Sequence, residues 1–142
     1  MKPMRIHHIG VVLPSIQAAE NLMNIFGLEV DYKGFVDSYR ADLVFTKYGD
    51  RESPIEFIIP NEGSVLKDFN GGKGGIAHIA FEVDDVEAVR QEMEGKGMKM
   101  LEKKAVEGTE DIIVNFLKPK YSEGILFEFV QKIKPINYNY SK

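Results

Sequence analysis

Two segments of this chain are versions of one another. His8-Ile9-Gly10-Val11-Val12-Leu13-Pro14-Ser15-Ile16 aligns without a gap on His78-Ile79-Ala80-Phe81-Glu82-Val83-Asp84-Asp85-Val86, 70 positions further on. Each copy reads as a β-rich strand opening on a histidine and running into a polar residue suited to start a helix. Self-similarity on this scale decides the fold before any single element does. In 142 residues it leaves room for one domain, built from two small modules that share a core.

After the first copy, Ser15 is a good helix N-cap. Ile16, Ala19, Leu22, Met23 and Phe26 recur at helical spacing, and Gly27 stands where a C-cap belongs. After the second, Asp84 or Asp85 caps, Val86, Val89 and Met93 mark the apolar face, and Gly95 or Gly97 ends the helix. Strands are expected over Leu28–Phe35, Arg40–Tyr48 and Pro54–Pro60 in the first copy, with Gly49-Asp50 turning between the last two. Their counterparts in the second are Met98–Lys103, Asp111–Leu117 and Gly124–Gln131, with Ser122-Glu123-Gly124 as a turn. The pattern is β-α-β-β-β, twice, which places the chain in the α+β class. Module one covers about 5–60, a linker 61–75, module two about 76–131 and a polar tail 132–142 that lies loose or on the surface. Within the linker, Ser64–Phe69 suits a short helix and Asn70–Gly75 a flexible turn.

Both copies close on a carboxylate set among large apolar residues, Ile55-Glu56-Phe57-Ile58 and Phe127-Glu128-Phe129-Val130. A carboxylate in such a strand is costly to bury unless something compensates. Taken singly, each glutamate reads as a solvated strand residue, and His8 or His78 as a hydrogen-bonded one. The repeat changes that. The chain has three histidines, and two of them occupy equivalent positions, as do the two embedded glutamates. Approximate twofold symmetry would gather His8, Glu56, His78 and Glu128 at one centre. Two imidazoles and two carboxylates suit one borderline or hard divalent ion such as Co, Ni, Zn, Mn or Fe(II), with two positions left open for a substrate. His7 alternates to the other strand face and is read as structural.

Composition narrows the rest. No cysteine is present, which excludes disulfides, thiolate sites and a cysteine nucleophile and fits a reducing cytosol. A net charge of −4 without any Lys/Arg-rich run gives no reason to expect nucleic acid. No apolar stretch is long enough to span a bilayer, and Met1–Arg5 has no signal-peptide core, so a cytoplasmic protein is expected.

From His7 to Gln131 the sequence resembles the vicinal oxygen chelate (glyoxalase/bleomycin resistance/dioxygenase) superfamily. His8–Val12 and Gly75–Asp85 carry the general likeness. Asn115-Phe116-Leu117-Lys118-Pro119-Lys120-Tyr121-Ser122-Glu123-Gly124-Ile125-Leu126-Phe127-Glu128 is similar to the methylmalonyl-CoA epimerases within it. The resemblance implies two βαβββ modules in a curved, partly open eight-stranded sheet around a metal cleft, with the ligands at His8, Glu56, His78 and Glu128. It implies a proton abstraction beside a carbonyl, Glu128 acting as acid/base with Asp42 as its partner, and a homodimer. Several positions depart from the epimerase pattern: Ala77-His78 in place of a His-His pair, Lys118-Pro119-Lys120-Tyr121 in place of His-Pro-Lys-Ser, and Asp42 where a glutamate is usual. Lys118 and Lys120 are read as surface lysines. The substrate implied is an acyl-CoA thioester, or a glutathione adduct if the chain is instead glyoxalase I-like. A non-catalytic, drug-binding relative of the resistance type is the third reading, and the intact His/Glu pairs argue against it.

Overall fold

A computed structural model describes residues 3–47, 53–109 and 111–133. The elements follow in the order β1 (Arg5–Val12), α1 (Ile16–Phe26), β2 (Val30–Val36), β3 (Ala41–Thr46), β4 (Ile55–Pro60), β5 (Gly75–Glu82), α2 (Val86–Gly95), β6 (Val106–Glu107), β7 (Ile112–Leu117) and β8 (Leu126–Lys132). Short 3-10 segments lie at Val65–Gly72 and Pro119–Tyr121. The β-α-β-β-β order occurs twice, as the repeat requires. The expected turn at Gly49-Asp50 and the tail beyond Ile133 lie outside the described residues. Among the described residues, no helix is long and apolar enough to cross a membrane.

The chain forms two compact units, one spanning His8–His78 and the other combining the residues up to His7 with those from Ile79 onward. The division runs through β1 and β5, not through the linker.

Within His8–His78 the strands take the order β2-β3-β4-β1-β5. Strands β2, β3 and β4 are antiparallel, and β1 joins β4 in parallel. Helix α1 begins where Ser15 Oγ accepts the Ala18 N–H at 3.1 Å. It ends at Gly27, whose left-handed φ of 67° lets its N–H reach Met23 O. Its apolar stripe, through Ala19 and Met23, packs with Leu13, Val44, Phe57 and Ile59 on one face of the sheet. Val12, Ala41, Leu43, Phe45 and Ile58 form a second core with Leu66 and Phe69 of the linker packed against it. The linker is therefore part of this unit's core. Its Asn70–Gly75 end is a defined turn, in which Asn70 (φ 54°) donates from Nδ2 to Gly74 O at 2.7 Å.

In the other unit the order is β5-β8-β7-β6, and α2 buries Val86, Val89 and Met93 against Val83, Met100, Leu117 and Phe129. Asp85 is the cap, accepting from the Glu87 and Ala88 N–H groups. The sequence points to a strand over Met98–Lys103, yet the chain makes only an isolated bridge there, Met100 to Leu117, and the strand that forms is Val106–Glu107. Asn115 supplies the reason. Its buried side-chain amide takes the Glu102 N–H on Oδ1 and donates to Glu102 O from Nδ2, both at 3.0 Å. A side-chain amide thus replaces a backbone rung, and backbone groups that would extend a ladder are already satisfied.

Candidate metal centre

Parallel pairing of β1 with β4 sets Gly10 opposite Glu56, and antiparallel pairing of β4 with β3 sets Glu56 opposite Phe45. Side chains alternate along a strand, so His8 and Gly10 share the face of Glu56, Phe45 and Leu43. His78 enters from β5. His8, Glu56 and His78 all belong to the His8–His78 unit, two of them at its ends.

They converge closely. His8 Nε2 and His78 Nε2 are 3.1 Å apart, His8 Nε2 and Glu56 Oε1 3.2 Å, and His78 Nε2 and Glu56 Oε1 3.4 Å. The same three atoms make a nearly equilateral triangle. All three residues are buried, with relative exposures of 2%, 6% and 7% for His8, Glu56 and His78. Burial pushes the Glu56 carboxyl up, but hydrogen bonds from His78 and His8 and their positive charge outweigh it and hold the group below its ordinary range.

The triangle can be tested against a metal ion. Donors about 2.1 Å from one ion lie about 3.0 Å apart as octahedral neighbours and about 3.4 Å apart as tetrahedral ones. The observed edges fall at or between these values. Two neutral imidazole nitrogens and a carboxylate oxygen also match the preferences of a borderline divalent ion. The residues fit the group.

Aromatic packing flanks the His8 ring. The His8 ring meets Phe45 edge-on, with centroids 5.3 Å apart at 77°, and Tyr32 stacks on Phe45 at 4.7 Å and 14°. Neither aromatic residue is marked by the sequence pattern as part of a site. The available signal is register, since Tyr32 faces Phe45 across β2 and β3, next to Glu56 on β4.

Glu128 lies on β8 in the other unit, buried, and opposite Phe116 just as Glu56 is opposite Phe45. The repeat is thus kept in strand register as well as in sequence. Asp42 takes the other face of β3. It pairs with Ile59, one position out of step with Leu43 and Phe45, so alternation turns it to the face opposite Glu56. It is exposed there and accepts a hydrogen bond from Asn61 Nδ2 at 3.1 Å. Strand β3 offers Ala41, Leu43 and Phe45 to the donors' face instead. Asp42→Asn is accordingly expected to leave metal affinity and turnover within about twofold of wild type, as for surface changes generally. A large loss of turnover with unchanged metal content would return Asp42 to the mechanism.

A family profile described as the glyoxalase/bleomycin resistance protein/dioxygenase superfamily matches residues 7–116. The chain belongs to this superfamily. The ethylmalonyl-CoA/methylmalonyl-CoA epimerase of Cereibacter sphaeroides is 31% identical over 134 residues, covering 89% of this chain and 97% of that protein. The human mitochondrial methylmalonyl-CoA epimerase is 26% identical over 129 residues, 89% of this chain and 73% of that one. Among solved structures, a variant of Streptomyces coelicolor methylmalonyl-CoA epimerase in complex with 2-nitronate-propionyl-CoA matches with a TM-score of 0.85 and 27% identity, covering 94% of this chain and 97% of that chain. The α+β fold of two βαβββ modules expected from the repeat is the fold of these superfamily members.

Proposed function

We propose that this protein is a metal-dependent epimerase that moves the α-proton of a methylmalonyl-CoA-type acyl-CoA thioester. The observation that carries the reading is the triangle of His8 Nε2, His78 Nε2 and Glu56 Oε1, found in a chain whose relatives are epimerases of that substrate class. Glu128 is proposed as the fourth ligand and as the acid/base, on the strength of its repeat position, its burial and its carboxylate chemistry. The ion would be one of Co, Ni, Zn, Mn or Fe(II). A homodimer in the cytoplasm completes the reading, supported by the superfamily resemblance and by the absence of cysteine.

These side chains would hold a divalent ion, which when bound would supply Lewis acidity at a substrate carbonyl and so ease removal of the neighbouring proton. The imidazoles of His8 and His78 serve as neutral donors, and their burial keeps water from competing for them. Glu56 would contribute a negative charge that balances the positive charge of the centre. Glu128 takes the α-proton. Inversion requires a proton to return on the opposite side of the carbon, so a second carrier is needed. Ala41, Leu43 and Phe45 give β3 no acid on the donors' face, so that carrier comes from outside β3.

The test is solvent exchange. In D2O, metal-loaded protein is expected to incorporate deuterium at the α-carbon of methylmalonyl-CoA, followed by mass spectrometry. The glutathione–methylglyoxal hemithioacetal, run in parallel, is expected to remain untouched. Turnover of the hemithioacetal alone would favour a glyoxalase I-type lyase, and inertness toward both would favour a binding protein.

A further inference from the structure

Strand β1 runs between β4 and β5. His78 stands on β5 and Glu56 on β4, so their side chains can meet only by crossing β1. Adjacent strands are spaced about 4.8 Å apart, which separates the two outer backbones by about 10 Å. Yet His78 Nε2 comes within 3.4 Å of Glu56 Oε1. The residue beneath the crossing is Gly10, in register with Glu56.

A Cβ built on Gly10 would lie 2.1 Å from Cε1, 2.5 Å from Nδ1 and 2.7 Å from Nε2 of His78. Three ring atoms at such distances cannot be relieved by a small tilt. The whole imidazole would have to move off the strand. The backbone itself makes no demand for glycine, because Gly10 is absent from the residues with positive φ. The equivalent position in the second copy is Ala80, fully buried in β5, so the repeated strand accepts a Cβ at this point.

We propose that Gly10 is a positioning residue of the metal centre: by lacking a side chain it lets the His78 imidazole lie across β1 and join Glu56 and His8. The inference rests on the metal reading above, and the experiment separates the two. Co(II) is titrated into metal-free wild type, Gly10→Ala, His78→Ala and the double variant, following the d–d absorption bands. Thermal unfolding of the four metal-free proteins is measured alongside.

Gly10→Ala is expected to bind Co(II) about 10–100-fold more weakly, with shifted bands, the range typical when a ligand's support is removed. It is also expected to lower the unfolding midpoint when His78 is present but not when position 78 carries alanine, because the added methyl then has room. A Gly10→Ala protein that fails to fold while the double variant folds would give the same answer. Wild-type Co(II) affinity with unchanged bands in Gly10→Ala would overturn the inference. So would an equal fall in midpoint in both backgrounds, which would trace the effect to the backbone. A wild-type protein that takes up no Co(II) would sink the metal reading alone, and the unfolding cycle would still decide the part played by Gly10.

Discussion

Glu128→Gln is expected to reduce epimerase turnover by about 10²–10⁴-fold, the contribution typical of a positioned acid/base. Glutamine keeps the volume and the polarity of the side chain, so the buried position between Phe127 and Phe129 on β8 should survive the change. What disappears is the negative charge and the ability to accept and release a proton. The same substitution also weakens any bond Glu128 makes to the ion, so turnover should be read beside metal content. A variant with a full complement of metal and a greatly reduced rate would isolate the proton-transfer role. A variant that retains the wild-type rate at full metal content would remove Glu128 from the chemistry.

The second large effect is loss of the metal itself. Treatment with a strong chelator is expected to abolish turnover, and adding a divalent ion back should restore it. His8→Ala should make that loss permanent at ordinary metal concentrations, since it removes one corner of the donor triangle and leaves the Glu56 carboxylate buried with a single imidazole. Free metal at a concentration 100 times its Kd stabilises a folded protein by about 2.7 kcal/mol, so the chelated wild type should also unfold at a lower temperature. Acidification should imitate the chelator. An imidazole must be neutral to ligate, so affinity is expected to fall as acid protonates His8 and His78. A fully active enzyme after rigorous chelation, confirmed by metal analysis, would refute this account of the site.

Much of this was legible in the chain. The offset between His8 and His78, and the nearly equal one between Glu56 and Glu128, placed four residues at matching points of two modules before any coordinates. Helix α1 follows its capping residues closely, because Ser15 and Gly27 act locally and need no knowledge of the rest of the fold. What stayed hidden was tertiary context. Asp42 looked suitable by its position in the sequence, but only the pairing of Asp42 with Ile59 reveals which face it takes. The segment Met98–Lys103 had strand composition, and the side-chain amide of Asn115 reached the backbone at Glu102 first. Nothing in the sequence pattern marks Phe45 or Tyr32, and only the fold sets Phe45 against His8 and Tyr32 against Phe45. Gly10 was visible as a glycine among β-branched neighbours, but its meaning depends on a ring arriving from another strand.

The boundary between the compact units bears on how such a chain arose. A half-length polypeptide ending at Pro60 would contain one complete sequence repeat, with His8 and Glu56 but without His78. It would own two corners of a three-cornered cage. A single copy would therefore have to pair with a second copy of itself to complete such a donor set, and duplication places both histidines on one chain.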